Sequence, residues 1–102
     1  MSRIIKLEAL IAWPPTSLCE ETIGVMEDVV RHHPDQLQLL VFKRGVDLIP
    51  DDASAGMKNL MMKGCQVPAC VVNGVLFCAR KVPNPAELEA RVQEVFLRTA
   101  GE

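Results

Sequence analysis

An α/β domain, with a four-stranded mixed sheet and three helices in the order β-α-β-α-β-β-α, is what three features of this sequence predict. Asn73-Gly74 stands between the apolar runs 69–72 and 75–79 and marks a β-hairpin, because both residues tolerate the positive φ of a two-residue type I′ turn. From Thr16 and again from Asn84 the apolar residues take helical spacing directly after a capping residue. The first of these helices stands between two apolar strands, so a right-handed β-α-β crossover is expected.

Residues 3–12, R-I-I-K-L-E-A-L-I-A, alternate imperfectly and stop at Trp13-Pro14-Pro15, as a mostly buried strand cut off by prolines does. Beyond the turn, Leu18, Thr22, Met26, Val29 and Val30 share one side of a helix, with Glu20, Glu21, Glu27 and Asp28 largely on the other. Thr16 or Ser17 is its N-cap, and Glu20-Glu21 sits in the first turn, where the helix dipole favours negative charge. His32-His33-Pro34 closes the helix, and the two histidines read as a solvated end. Residues 36–43 form the second strand, stopped by Arg44-Gly45. After a connector at 46–50, Asp51 or Asp52 caps a short helix running to about Lys63, with Met57, Leu60 and Met61 as its buried stripe and Gly64 as its stop.

In the hairpin, a two-residue turn sets Val72 opposite Val75, Val71 opposite Leu76, Cys70 opposite Phe77 and Ala69 opposite Cys78. Both faces are then apolar, which suits a sheet covered on both sides. Cys70 and Cys78 point to opposite faces in this register and read as small buried hydrophobes rather than as a bonded pair. Val67-Pro68 and Val82-Pro83 bound the pairing, since proline cannot donate to a ladder. Arg80 and Lys81 read as a solvated edge. Asn84-Pro85 opens the last helix, with Leu88, Val92, Val95 and Phe96 at helical spacing, and it ends near Gly101.

A chain of 102 residues with 49% hydrophobic content is expected to form one domain over 1–102. Its net charge of -2, with scattered Lys and Arg, gives no electrostatic reason to expect nucleic acid or an anionic membrane as partner. Arg3, Lys6 and Glu8 interrupt the N-terminal run, so no signal segment or membrane span is expected there, and Leu18 is too large for a lipoprotein box at Thr16 to Cys19. A cytoplasmic location follows as the expectation, with the four cysteines read as thiols. Met57, Met61, Met62 and Cys65 can be drawn as a soft metal site, but a helical core stripe explains Met57 and Met61 as well.

The element order, the proline just ahead of the hairpin, and a helix beginning with a cysteine after the first strand resemble the thioredoxin and glutaredoxin fold over nearly the whole chain. V-P-A at 67–69 is similar to that family's cis-proline loop, and V-V-N-G-V-L-F-C-A-R-K-V-P is similar to small redox-disulfide thioredoxin-like proteins. The resemblance implies a C-x-x-C at the start of the first helix. Here the aligned residues read T-S-L-C, so Cys19 matches the second cysteine and Thr16 stands where the nucleophilic one belongs. Monothiol glutaredoxins keep the first cysteine instead. Peroxiredoxins carry T-x-x-C, but Ala12 stands in place of their upstream proline.

A thiol near a helix N-terminus is stabilised as thiolate by free backbone N–H groups and the dipole, while Glu20 and Glu21 oppose this. The resemblance places Cys65, three residues before Pro68, close to that helix, where it is a candidate resolving partner for Cys19. It also makes Trp13, Val67 and Pro68 the candidate substrate-binding residues. Three functions stay open: thiol–disulfide exchange through Cys19 with a protein or low-molecular-weight thiol or disulfide, a non-catalytic module binding a protein or peptide in the same groove, and a metal or metalloid carrier using Cys19 and Cys65. No cofactor is implied, and the oligomeric state is open.

Overall fold

The computed structural model describes residues 4–44, 53–64 and 67–100. The elements are β1 (Ile5–Ile11), α1 (Ser17–His32), β2 (Leu37–Lys43), α2 (Ala55–Lys63), β3 (Ala69–Val72), β4 (Val75–Ala79) and α3 (Pro85–Ala100). They form one four-stranded sheet in the order β2-β1-β3-β4, with β1 parallel to β2 and antiparallel to β3, and β3 antiparallel to β4. The strand alternation divides the core in two. Leu7, Ala9 and Ile11 of β1 join Met26 of α1 and Leu88 and Val92 of α3 on one side. Leu10, Phe42 and Val71 meet Met57 of α2 on the other.

Local chemistry sets the helix ends. Asn84 Oδ1 accepts hydrogen bonds from the Ala86 and Glu87 amides at 2.9 and 3.1 Å, satisfying two of the free donors at the start of α3. Gly64 ends α2 in the left-handed region, with φ +73°. Asn73 and Gly74 carry φ of +50° and +81° at the hairpin turn. Gly56 of α2 lies against that turn so closely that a Cβ there would come within 1.9 Å of the Gly74 carbonyl oxygen. The helix can rest on the hairpin only because Gly56 has no side chain.

Several expectations are corrected. The hairpin register holds at Val72↔Val75 and Val71↔Leu76 but then shifts, so that Cys70 pairs with Cys78 and Ala69 with Ala79. Phe77 is the extra residue of a β-bulge. The bulge reverses the side-chain parity beyond it, so Cys70 and Cys78 share one face and one core cluster. Nor is β4 covered on both sides. As an edge strand it leaves Val75 and Leu76 exposed, whereas all four residues of β3 are buried.

In α1 the buried stripe is Cys19, Thr22, Met26 and Val29, and Leu18, one position out of phase, is exposed. His33 is not a solvated end. Its Nε2 lies 2.8 Å from Glu89 Oε2 on α3, and its ring packs edge-on against Phe96. The cap of α2 is Ser54, whose Oγ accepts from the Met57 amide at 3.1 Å, while Asp51 and Asp52 lie outside the described residues. None of the described helices is long and apolar enough to cross a membrane.

Candidate functional site

The candidate site is the turn from the end of β1 into α1. Thr16, in extended backbone conformation, is the N-cap, and its Oγ1 accepts the Cys19 amide at 3.3 Å. The same hydroxyl donates to Cys19 Sγ at 3.3 Å, and the Ala12 amide donates to that sulfur at 3.5 Å. Two donors thus converge on one sulfur in the first turn of a helix, where unpaired N–H groups already favour negative charge. Burial pushes the Cys19 thiol up, but the Thr16 hydroxyl and the Ala12 and Thr16 amides outweigh it together with the opposing Glu20 charge. The thiol ends below the ordinary cysteine value. Cys19 itself has no accessible surface, while Thr16 beside it is exposed.

The register shows what surrounds this turn. Ala69 at the start of β3 pairs with Leu10 near the end of β1, so Pro68 lies at the end of the sheet from which the turn departs. The Val67–Pro68 bond is cis, as is Trp13–Pro14. Pro68 is buried, and its carbonyl accepts the Arg80 amide at 2.8 Å. Trp13 is 52% exposed, with the Lys43 ammonium 4.1 Å from the ring centroid. Cys65 lies outside the described residues, and with it the Cys19–Cys65 pairing, the carrier site and the completion of the methionine set. Met57 of that set is fully buried in the core and Met62 is 73% exposed. Among the described residues no group of three or more His, Cys, Asp or Glu is placed to hold a metal ion.

Two features escaped the sequence reading. Glu8 is fully buried on β1; its Oε2 accepts the Ser54 amide at 2.8 Å, and its Oε1 has no hydrogen-bond partner among the described residues. A glutamate inside an apolar strand was the available signal. By strand alternation Glu8 shares the face of Leu10 rather than that of Cys19, so it is not placed to take the Cys19 proton. The second feature is the opposition of Cys70 and Cys78, hidden by the bulge.

No family model and no curated protein matches this chain. Among solved structures it is similar to a thioredoxin-2 of the malaria parasite, described as a component of that parasite's protein secretion machinery. The TM-score is 0.60 at 13% identity, over 92% of this chain and 85% of the other. The fold is therefore thioredoxin-like.

Proposed function

We propose that this thioredoxin-like protein exchanges thiols and disulfides through Cys19. The observation that carries the reading is the pair of hydrogen bonds donated to Cys19 Sγ by Thr16 and Ala12 at the N-terminus of α1. Donors that favour the thiolate favour the species that attacks a disulfide. The thiolate attacks one sulfur of the substrate disulfide, a Cys19 mixed disulfide forms, and the other half leaves as a thiolate that takes up a proton. A second thiol, from Cys65 or from a low-molecular-weight reductant, then releases the substrate half. Thr16 acts as the positioning residue, since its hydroxyl bonds the sulfur in place of a first cysteine. Trp13, Val67 and the backbone flanking the buried Pro68 form the wall against which an extended substrate lies. The working compartment is the cytoplasm, where thiols stay reduced.

A second reading draws on the burial of Cys19. A sulfur without accessible surface fits a module that binds a peptide beside Trp13 and Pro68 without chemistry. Titration of thiolate absorbance against pH, compared with Cys19→Ala, separates the two. Redox exchange requires a Cys19 step below the ordinary ~8.5 and a mixed disulfide at Cys19 with a small disulfide. A Cys19 that ionises at or above that value and forms no adduct in the folded protein leaves the binding module.

A further inference from the structure

A second pair of thiols lies on the hairpin, in the same core cluster as Cys19. Cys70 and Cys78 are direct partners across β3 and β4 and belong to the same core cluster. The Arg80 amide donates to the Pro68 carbonyl at 2.8 Å, which sets the phase of the ladder. Two steps further on, the Cys70–Cys78 pair falls where opposed residues exchange both backbone bonds and Cα atoms stand about 5.5 Å apart. That separation is inside the ~4.4–6.8 Å window of a disulfide. Opposed Cβ atoms in such a pair stand about 5.5 Å apart, beyond the ~3.5–4.5 Å of a disulfide. Closing the bridge therefore needs a local shift of the strands, which the irregular ladder at the bulge beside Cys70 permits. A bond closed in this way is readily reduced.

Access is unequal. Cys70 has no accessible surface, and Cys78 is 8% exposed. Cys78 lines a cleft of about 450 Å³ between β4, the segment leading into α3, and α3 itself, walled by Phe77, Lys81, Pro83, Glu87 and Arg91. The bulged Phe77 packs under the Arg91 guanidinium, 5.4 Å from ring centroid to the cation, so the irregularity that opposes the two cysteines also builds the wall of the cleft. Cys78 Sγ lies 3.8 Å from the Lys81 carbonyl. Burial raises its thiol, the Lys81 charge lowers it, and Glu87 raises it again, for a net rise. Cys70 is pushed up to about 12 by burial, with the Cys78 charge and thiol adding to the effect. The entry thiol is therefore Cys78.

We propose that Cys70 and Cys78 form a redox couple that is oxidised to a cross-strand disulfide by a low-molecular-weight disulfide entering the cleft. Cys78 as thiolate attacks one sulfur of the small disulfide and expels one thiolate, which is protonated. Cys70 then attacks the Cys78 sulfur as its proton passes to the departing small thiolate, which leaves as the second small thiol. Two electrons pass from the protein thiols to the small disulfide, which leaves as two thiols. The mixed disulfide also removes the Cys78 charge that holds the Cys70 proton, which eases the second step. The cleft offers Lys81 and Arg91 beside Glu87 and Glu94, a mixed-charge lining suited to a zwitterionic peptide disulfide.

This couple is independent of Cys19, and the test keeps it so. The full chain carrying Cys19→Ser and Cys65→Ser is incubated with glutathione disulfide, then quenched and digested. The expected result is loss of both remaining thiols, a mass lower by two hydrogens, and a linked peptide joining Cys70 to Cys78 that dithiothreitol releases. Adding Cys78→Ser should leave Cys70 unmodified in the folded protein. Peptide mapping of the unsubstituted chain under the same conditions provides the answer if the substituted protein does not fold. Two thiols that persist in the folded protein, or a glutathione adduct at Cys78 that never resolves, would overturn the proposal.

Discussion

Cys19 and Cys70 both lack accessible surface and both lie in the core on the α1 and α3 face of the sheet, yet their thiols are driven in opposite directions. Burial raises each. At Cys19 a hydroxyl and backbone amides point at the sulfur and reverse the effect. At Cys70 the neighbouring group is another thiol, whose charge adds to the burial. The depth of a thiol in this fold does not decide its chemistry; the donors within hydrogen-bond reach do.

The largest test of that contrast is stability against pH. The Cys70 value is raised when folded, so its contribution is complete below the unfolded thiol value of ~8.5 and is lost as pH rises toward about 12. The Cys19 value is depressed, so its contribution is present above ~8.5 and is lost as pH falls through the folded value. Denaturant unfolding at a series of alkaline pH values should show Cys70→Ala removing a downward slope of about 1.4 kcal/mol per pH unit above ~8.5. Cys19→Ala should leave that slope in place. Equal slopes in Cys70→Ala and the unsubstituted chain would break the comparison.

A smaller effect is expected at Thr16, where one hydroxyl both caps α1 and bonds the sulfur. Thr16→Ala should cost about 1 kcal/mol of unfolding free energy and move the Cys19 ionisation upward, read from thiolate absorbance. Thr16→Ser should restore both. If the cap is lost and the ionisation stays where it was, the hydroxyl does not hold the thiolate. The smallest effect sharpens the same point. Asn84 caps α3 without touching a sulfur, so Asn84→Ala should cost on the order of 1 kcal/mol in chemical unfolding and leave the Cys19 titration unmoved.

The legible parts of the fold are those governed by a few neighbouring residues. Asn73-Gly74 could be read because the turn demands positive φ at both positions, Gly64 because a helix stop does, and Asn84-Pro85 because the cap bonds are local. The candidate turn at Thr16 and Cys19 was visible for the same reason, the sulfur's donors lying within seven residues of it in the chain. The direction of its ionisation was not visible, because burial and hydrogen bonding oppose each other there and only their geometry ranks them.

By itself the sequence determined the order of elements, the hairpin turn, the caps of α1 and α3 and the threonine at position 16, since each depends on backbone preference or residue identity over a short stretch. Tertiary structure decided the rest. It put β4 at the edge and left Val75 and Leu76 exposed, gave His33 its partner Glu89, and buried Glu8 against the start of α2. Above all it inserted the bulge at Phe77 that turns Cys70 and Cys78 toward each other. A register shift of one residue exchanges the faces of a strand, and whether it occurs depends on what packs against that strand, here Arg91 of α3 over Phe77.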